Sequence, residues 1–242
     1  MPVISAPSLA LLGLEPFRFV MEYTSVRFMD RQALPRGDGH PVVLFPGLGA
    51  DHTALGPLVE CCRSLGYAAS DWGRGLNTGP RGDVDAWIEV LGAGVGEVAE
   101  RHGRRVSLIG WSLGGVYARE IARRRPTQVR QVITLGTPFA GSGEHTNVGW
   151  IYKLLSGHSP RIDPALSARL RATPPVPTTS IYSRTDGVVA WQACREATGP
   201  RCENVEVDAS HIGLVCHPKV WRVVADRLAQ PEGVWRRYRP SA

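Results

Sequence analysis

Arg105-Val106-Ser107-Leu108-Ile109-Gly110-Trp111-Ser112-Leu113-Gly114-Gly115 is the stretch on which the reading of this chain turns. Its first five residues form an apolar strand. They run into Gly-x-Ser-x-Gly, and a segment of helical period begins near Leu113. A serine held on so sharp a strand-to-helix turn must adopt a strained backbone, and small residues are needed two before and two after it; Gly110 and Gly114 meet that need. The N-terminus of the helix that follows favours negative charge developing beside Ser112.

Working outward, strand-like runs alternate with longer helical segments, which predicts a parallel sheet covered by helices. Strands are expected at Pro41 to Phe45, Tyr67 to Ser70, Arg105 to Gly110, Gln131 to Leu135, Thr179 to Ser183 and Asn204 to Val207. Between them, Leu55, Leu58, Val59, Cys62 and Leu65 share one helical face, as do Val84, Trp87, Ile88, Leu91, Val95 and Val98. Pro126 ends the helix after Ser112, and Val220, Trp221, Val224, Ala225 and Leu228 mark a last one. Residues 139–177 break the alternation and predict a small cap inserted over the sheet, within one domain spanning residues 1–242. The first forty residues are the least readable part, compatible with an edge strand or a docking helix.

A serine hydroxyl is a weak nucleophile at neutral pH. It needs an imidazole to take its proton and a carboxylate to fix the imidazole's tautomer. Asp186, in Ser183-Arg184-Thr185-Asp186-Gly187, and His211, in Ser210-His211-Ile212-Gly213, each follow a predicted strand, giving the chain order Ser, Asp, His. Asp208 reads as a solvated turn carboxylate, and Asp163, Glu144, His145 and His158 as surface residues of the insertion. His40, His52, His102 and His217 sit at turns or helix ends. Acyl transfer also needs donors aimed at the developing oxyanion. The backbone N–H groups of Leu48, in Pro46-Gly47-Leu48-Gly49, and of Leu113 come from the two expected places. Trp72 and Phe139 follow strand ends and are candidates to line an acyl pocket. Trp150 and Leu154, in the insertion, are candidates to shelter the acyl chain.

The segments GWSLGG, PGLGAD, LGTPFAG (Leu135 to Gly141), SRTDG and SHIGL together resemble the lipase and esterase branch of the α/β-hydrolases, similar to small bacterial triacylglycerol lipases. The resemblance runs from about Pro41 to Leu228. It implies an α/β-hydrolase fold and carboxylic ester hydrolysis without a cofactor, with Leu48 and Leu113 at the oxyanion-hole positions. Two departures stand out: many of those lipases have His-Gly where this chain has Pro46-Gly47, and His where it has Trp111. The chemistry survives both. An acyltransferase or a thioesterase could run on the same machinery.

Composition is compatible with this. With 242 residues and 43% hydrophobic content the chain can bury one substantial core. No run reaches the roughly 18 apolar residues of a membrane span. Met1 to Leu14 makes a poor signal peptide, so a cytoplasmic location is expected. The net charge of +6 is spread along the chain with no basic and aromatic nucleic-acid motif. A small-molecule or lipid ester is the expected partner. Five cysteines without a CxxC pair indicate no metal site, and leave Cys194 and Cys202 as either a local disulfide or two buried thiols.

Overall fold

The computed structural model describes residues 6–140 and 164–240. Among these, six strands form one parallel sheet: β1 (Pro41–Phe45), β2 (Ala68–Asp71), β3 (Val106–Trp111), β4 (Val129–Leu135), β5 (Thr178–Ser183) and β6 (Cys202–Val207), in the order β2-β1-β3-β4-β5-β6. Every residue of β1, β3, β4 and β5 is buried, as strands covered on both faces must be, whereas the edge strands β2 and β6 are only partly so.

The helices are α1 (Leu9–Arg27), α2 (His52–Ser64), α3 (Val84–His102), α4 (Leu113–Arg124), α5 (Pro164–Arg171) and α6 (Pro218–Ala229). The period of 2 along β1 divides the core. Val42 and Leu44 pack with Leu55 and Leu58 of α2 and Val220 and Trp221 of α6, while Val43 and Phe45 pack with Ile88 and Leu91 of α3 and Val116 and Ile121 of α4. Asp51 and Asp83 cap α2 and α3 by accepting from Thr53 and Ala86 backbone N–H groups, and Gly103 closes α3 at φ 58°.

Chain order reverses between β1 and β3: β1 leads outward to β2, β3 leads the other way to β4. At such a switch point the loops beyond the carboxyl ends of two adjacent strands part and leave a crevice. The loops in question are Pro46-Gly47-Leu48-Gly49 after β1 and Ser112 after β3.

Each expected strand is present: Pro41–Phe45 has the expected ends, and the others differ by at most two residues at an end. The first forty residues hold α1, which packs on the loop after β6. Most of the expected cap, including Trp150 and Leu154, lies outside the described residues. Its described C-terminal end is tied to the body: Leu170 and Val176 are core residues, and Arg119 of α4 donates to the Leu170 and Ala172 carbonyls at 3.2 and 3.0 Å. Cys194 and Cys202 are not bonded to each other. All five cysteines are buried free thiols. No described helix is long and apolar enough to cross a membrane.

Candidate active site

Ser112 has φ 53° and ψ −121°, and is the one non-glycine residue with positive φ among the described residues. Strain of this kind persists only where the surroundings over-determine it. A side chain on Gly110 would overlap the backbone of Gly115, and one on Gly114 would overlap the Phe45 carbonyl, so both positions admit glycine alone. Ser112 is the N-cap residue of α4, yet its hydroxyl makes no capping bond. It stays available for chemistry.

The turn after β1 lies against the serine. A Cβ on Gly47 would come within 3.2 Å of Ser112 Cβ, which puts the neighbouring Leu48 peptide beside Ser112. The Leu113 N–H, in the first turn of α4, is one of the donors a helix leaves without an intrahelical partner. Leu48 is half-exposed and Leu113 fully buried.

The brace of this turn is a residue the sequence reading missed. Asn77 is fully buried; its Nδ2 donates to the Pro46 carbonyl at 2.8 Å, its own carbonyl accepts from Gly49 N–H at 2.8 Å, and its N–H donates to the Ala50 carbonyl at 2.8 Å. Its Oδ1 accepts from Gly79 N–H and from the Tyr117 hydroxyl at 3.1 and 3.4 Å. A lone Asn in the Gly-rich Leu76-Asn77-Thr78-Gly79 looks like turn punctuation.

Asp186 and His211 are brought together. His211 Nδ1 lies 2.6 Å from Asp186 Oδ2, and the other carboxylate oxygen accepts from Val188 and Val189 N–H at 2.8 and 2.7 Å. Burial works against a charged His211 imidazole, but the charge and hydrogen bond of Asp186, with the charge of Glu15, outweigh it and raise its pKa above the ordinary value. Trp111 Nε1 donates to the His211 carbonyl at 3.0 Å, which gives the residue before Ser112 a task in holding the histidine's loop. Ser112 N–H donates to the Leu135 carbonyl at 2.9 Å, and Gly136, next in the chain, packs against the pair; a Cβ there would sit 3.1 Å from His211 Nδ1. Among the described residues no hydrogen bond joins the Ser112 hydroxyl to His211. Such bonds are commonly long in unliganded sites and tighten with substrate.

The other expected positions fall as follows. Trp72 stacks on Tyr117 at 6.2 Å and donates from Nε1 to the Gly75 carbonyl, and it borders a cleft of about 260 Å³ with Leu76 and Trp87. Phe139 is fully buried with the Arg119 guanidinium 3.5 Å over its ring. Asp208 is exposed and pairs with Arg18 at 3.2 Å, away from the histidine it neighbours in sequence.

His40, expected at a turn or helix end away from any strand, instead directly precedes β1. It is fully buried at the opposite end of the sheet, with Nδ1 2.5 Å from Asp38 Oδ1 and Nε2 2.8 Å from Ser107 Oγ. This is a second Ser, His and Asp array. Ser107 lies within β3 rather than on a turn, is fully buried, and also accepts from Gln131 Nε2 at 3.3 Å. With no helix N-terminus and no access for substrate, the array is a structural network.

No family model and no curated protein matches the chain. Solved structures do. Bacillus licheniformis lipase BlEst2 in its mature form is 18% identical, with 82% of this chain and 95% of that chain covered and a TM-score of 0.59. Aspergillus fumigatus lipase B is also 18% identical at a TM-score of 0.58 over 82% of this chain; this chain spans only 55% of that longer one. The RedJ thioesterase of the prodiginine biosynthetic pathway in Streptomyces coelicolor is 17% identical, with 83% and 87% covered and a TM-score of 0.52. At these identities the likeness speaks for architecture, and with the strand order and the elbow at Ser112 it shows that the chain has the α/β-hydrolase fold.

Proposed function

We propose that this chain is a serine hydrolase that cleaves carboxylic esters through an acyl-enzyme on Ser112. The observation that carries the reading is the strained Ser112 at the N-terminus of α4, beside the turn after β1 and on the same edge of the sheet as the hydrogen-bonded Asp186–His211 pair. In the first half-reaction His211 takes the hydroxyl proton as Ser112 Oγ attacks the ester carbonyl carbon. The carbonyl π electrons move onto oxygen, and the N–H groups of Leu48 and Leu113 stabilise that oxyanion. Collapse breaks the bond to the alcohol, which leaves with the proton from His211. Water then attacks the acyl-enzyme by the same route in reverse roles, releasing the acid and restoring the serine.

Short to medium acyl chains are proposed as preferred, with Trp72, Phe139, Trp150 and Leu154 forming the acyl environment. The cleft of about 260 Å³ beside Trp72 is lined by Leu76, Thr78 and Gly79 of the loop that also carries Asn77. The same steps serve a thioester, a reading favoured by the likeness to the RedJ thioesterase. Five buried free thiols support a reducing compartment such as the cytoplasm.

A panel of p-nitrophenyl esters of rising acyl length tests the reading, with a fluorophosphonate to tag the nucleophile. Turnover that falls by on the order of 10⁴ to 10⁶ in Ser112→Ala and in His211→Ala, with the tag on Ser112, supports it. Full activity in Ser112→Ala overturns it.

A further inference from the structure

Helix α1 turns charged residues toward the protein. Its carboxylates Glu15 and Glu22 are buried at 2% and 9% exposure, while Leu9, Phe17, Val20 and Met21 face outward. Of its apolar residues Val26 is buried in the core and Phe19 packs partly against it, so most of the inward face is polar, and a buried carboxylate is costly unless fully partnered. Glu15 is fully partnered. Its Oε1 accepts from the N–H groups of Gly187 at 2.8 Å and His211 at 2.9 Å, and its Oε2 from the N–H of Ile212 at 3.0 Å. Gly187 follows the triad acid, and His211 is the triad base. One carboxylate thus joins the two loops that carry them.

The rest of α1 repeats the pattern. Arg18 donates to Thr185 Oγ1 at 2.8 Å, one residue before Asp186, and Glu22 accepts from Ser210 N–H at 2.7 Å, one residue before His211. Both loops are shaped to receive the helix. A Cβ on Gly187 would lie 2.6 Å from the backbone of Leu11 and Leu12, and one on Gly213 would overlap the Glu22 carboxylate.

We propose that Glu15 is a positioning residue of the triad: its carboxylate clamps the backbones of Gly187, His211 and Ile212 into one arrangement, and places a fixed negative charge behind the imidazolium that forms in each half-reaction. The role rests on the serine-hydrolase reading, while the clamp itself can be tested without any substrate. Among the described residues, the groups facing His211 from each packed element are few. Asp186 comes from the loop after β5 and Glu15 from α1; Gly136 after β4 and Trp111 at the elbow bring no charge. Arg18 and Glu22 stand further along α1, on Thr185 and Ser210. The charge of Glu15 adds to that of Asp186 in raising the His211 pKa.

The experiment compares Glu15→Gln and Glu15→Asp with the wild type by NMR titration of the His211 ring, identified by its loss in His211→Gln, and by p-nitrophenyl ester kinetics. Glu15→Gln keeps the volume but removes the charge and replaces one acceptor with a donor. Its His211 ring is expected to titrate at lower pH, and kcat to fall by about tenfold or more with KM within about twofold. Glu15→Asp keeps the charge but withdraws the acceptor by one methylene; its ring should titrate near the wild-type pH while kcat still falls. A Glu15→Gln protein with a lower Tm but an unmoved His211 titration and unmoved kcat would make Glu15 a packing element and overturn the proposal. Should Glu15→Gln not fold, wild-type kcat in Glu15→Asp overturns it equally. If the wild type cleaves no ester, the function fails, and the NMR titration still decides the clamp.

Discussion

The Asp186 carboxylate and the His211 imidazole meet at 2.6 Å with both side chains buried, so the proton between them is shielded from bulk water. Asp186 and Glu15 together hold the folded imidazole above its ordinary pKa. In the proposed mechanism the neutral ring is the general base, so activity is expected to be low below that raised value and to climb through it. The acid limb of kcat/KM should therefore have its midpoint above about 6.5, the ordinary imidazole value. A pH–rate profile with a midpoint below it would contradict this geometry.

Asp186→Asn keeps the shape of the site and removes the acceptor that selects the tautomer of His211. Turnover should fall by on the order of 10³ to 10⁴ with KM little changed, and the ring should titrate at lower pH than in the wild type. Steady-state kinetics alongside NMR of the imidazole checks both halves.

Asn77→Ala removes the side-chain donor to Pro46 and leaves buried groups of Gly79 and Tyr117 without their acceptor. The turn that presents the Leu48 N–H then loses the side-chain part of its brace, while the main-chain bonds of position 77 to Gly49 and Ala50 remain. We expect kcat to fall by about tenfold or more while fluorophosphonate still labels Ser112, because the proposed nucleophile and base are untouched. Stability should drop by about 1–3 kcal/mol, read from urea unfolding.

Ser107→Ala should leave turnover as it is and cost about 1–3 kcal/mol, since His40 Nε2 and Gln131 Nε2 lose a buried partner. The same network links stability to pH. Burial pushes His40 below the ordinary imidazole pKa, against the pull of Asp38, with Arg130 and Arg104 adding to the lowering. Between the depressed folded value and about 6.5 the unfolded chain binds more protons than the folded one, so this contribution is complete above about pH 6.5 and is lost as pH falls through that window. Urea midpoints of wild type and His40→Gln across pH 5 to 8 measure it.

Much of the architecture was legible in the sequence because buried strands leave unbroken apolar runs, as Pro41 to Phe45 does, and because the elbow demands glycine at fixed offsets from Ser112. Asp186 and His211 were legible as polar residues placed just beyond strands. Helix α1 was not. Its inward stripe mixes Glu15, Arg18 and Glu22 with Phe19 and Val26, while Leu9, Phe17, Val20 and Met21 point away, so a search for an apolar face finds no clean inward side. Asn77 was hidden by its composition, since a buried Asn in a Gly-rich loop differs from a turn Asn only in its tertiary partners. The Cys194 and Cys202 pairing was left open by spacing alone. Each thiol instead faces a carbonyl, of Ala190 and Ala197 respectively.

The hydrogen bonds from Glu15 reach partners 172, 196 and 197 positions along the chain. Contacts so distant in sequence are slow to form, because the entropy of closing the loop must be met before they contribute. During synthesis α1 emerges early and waits for almost the whole sheet before its partners exist. Catalytic competence should thus be a late event in folding. In refolding from urea, the far-UV signal of the sheet is expected to recover before esterase turnover does, with the interval set by the docking of α1.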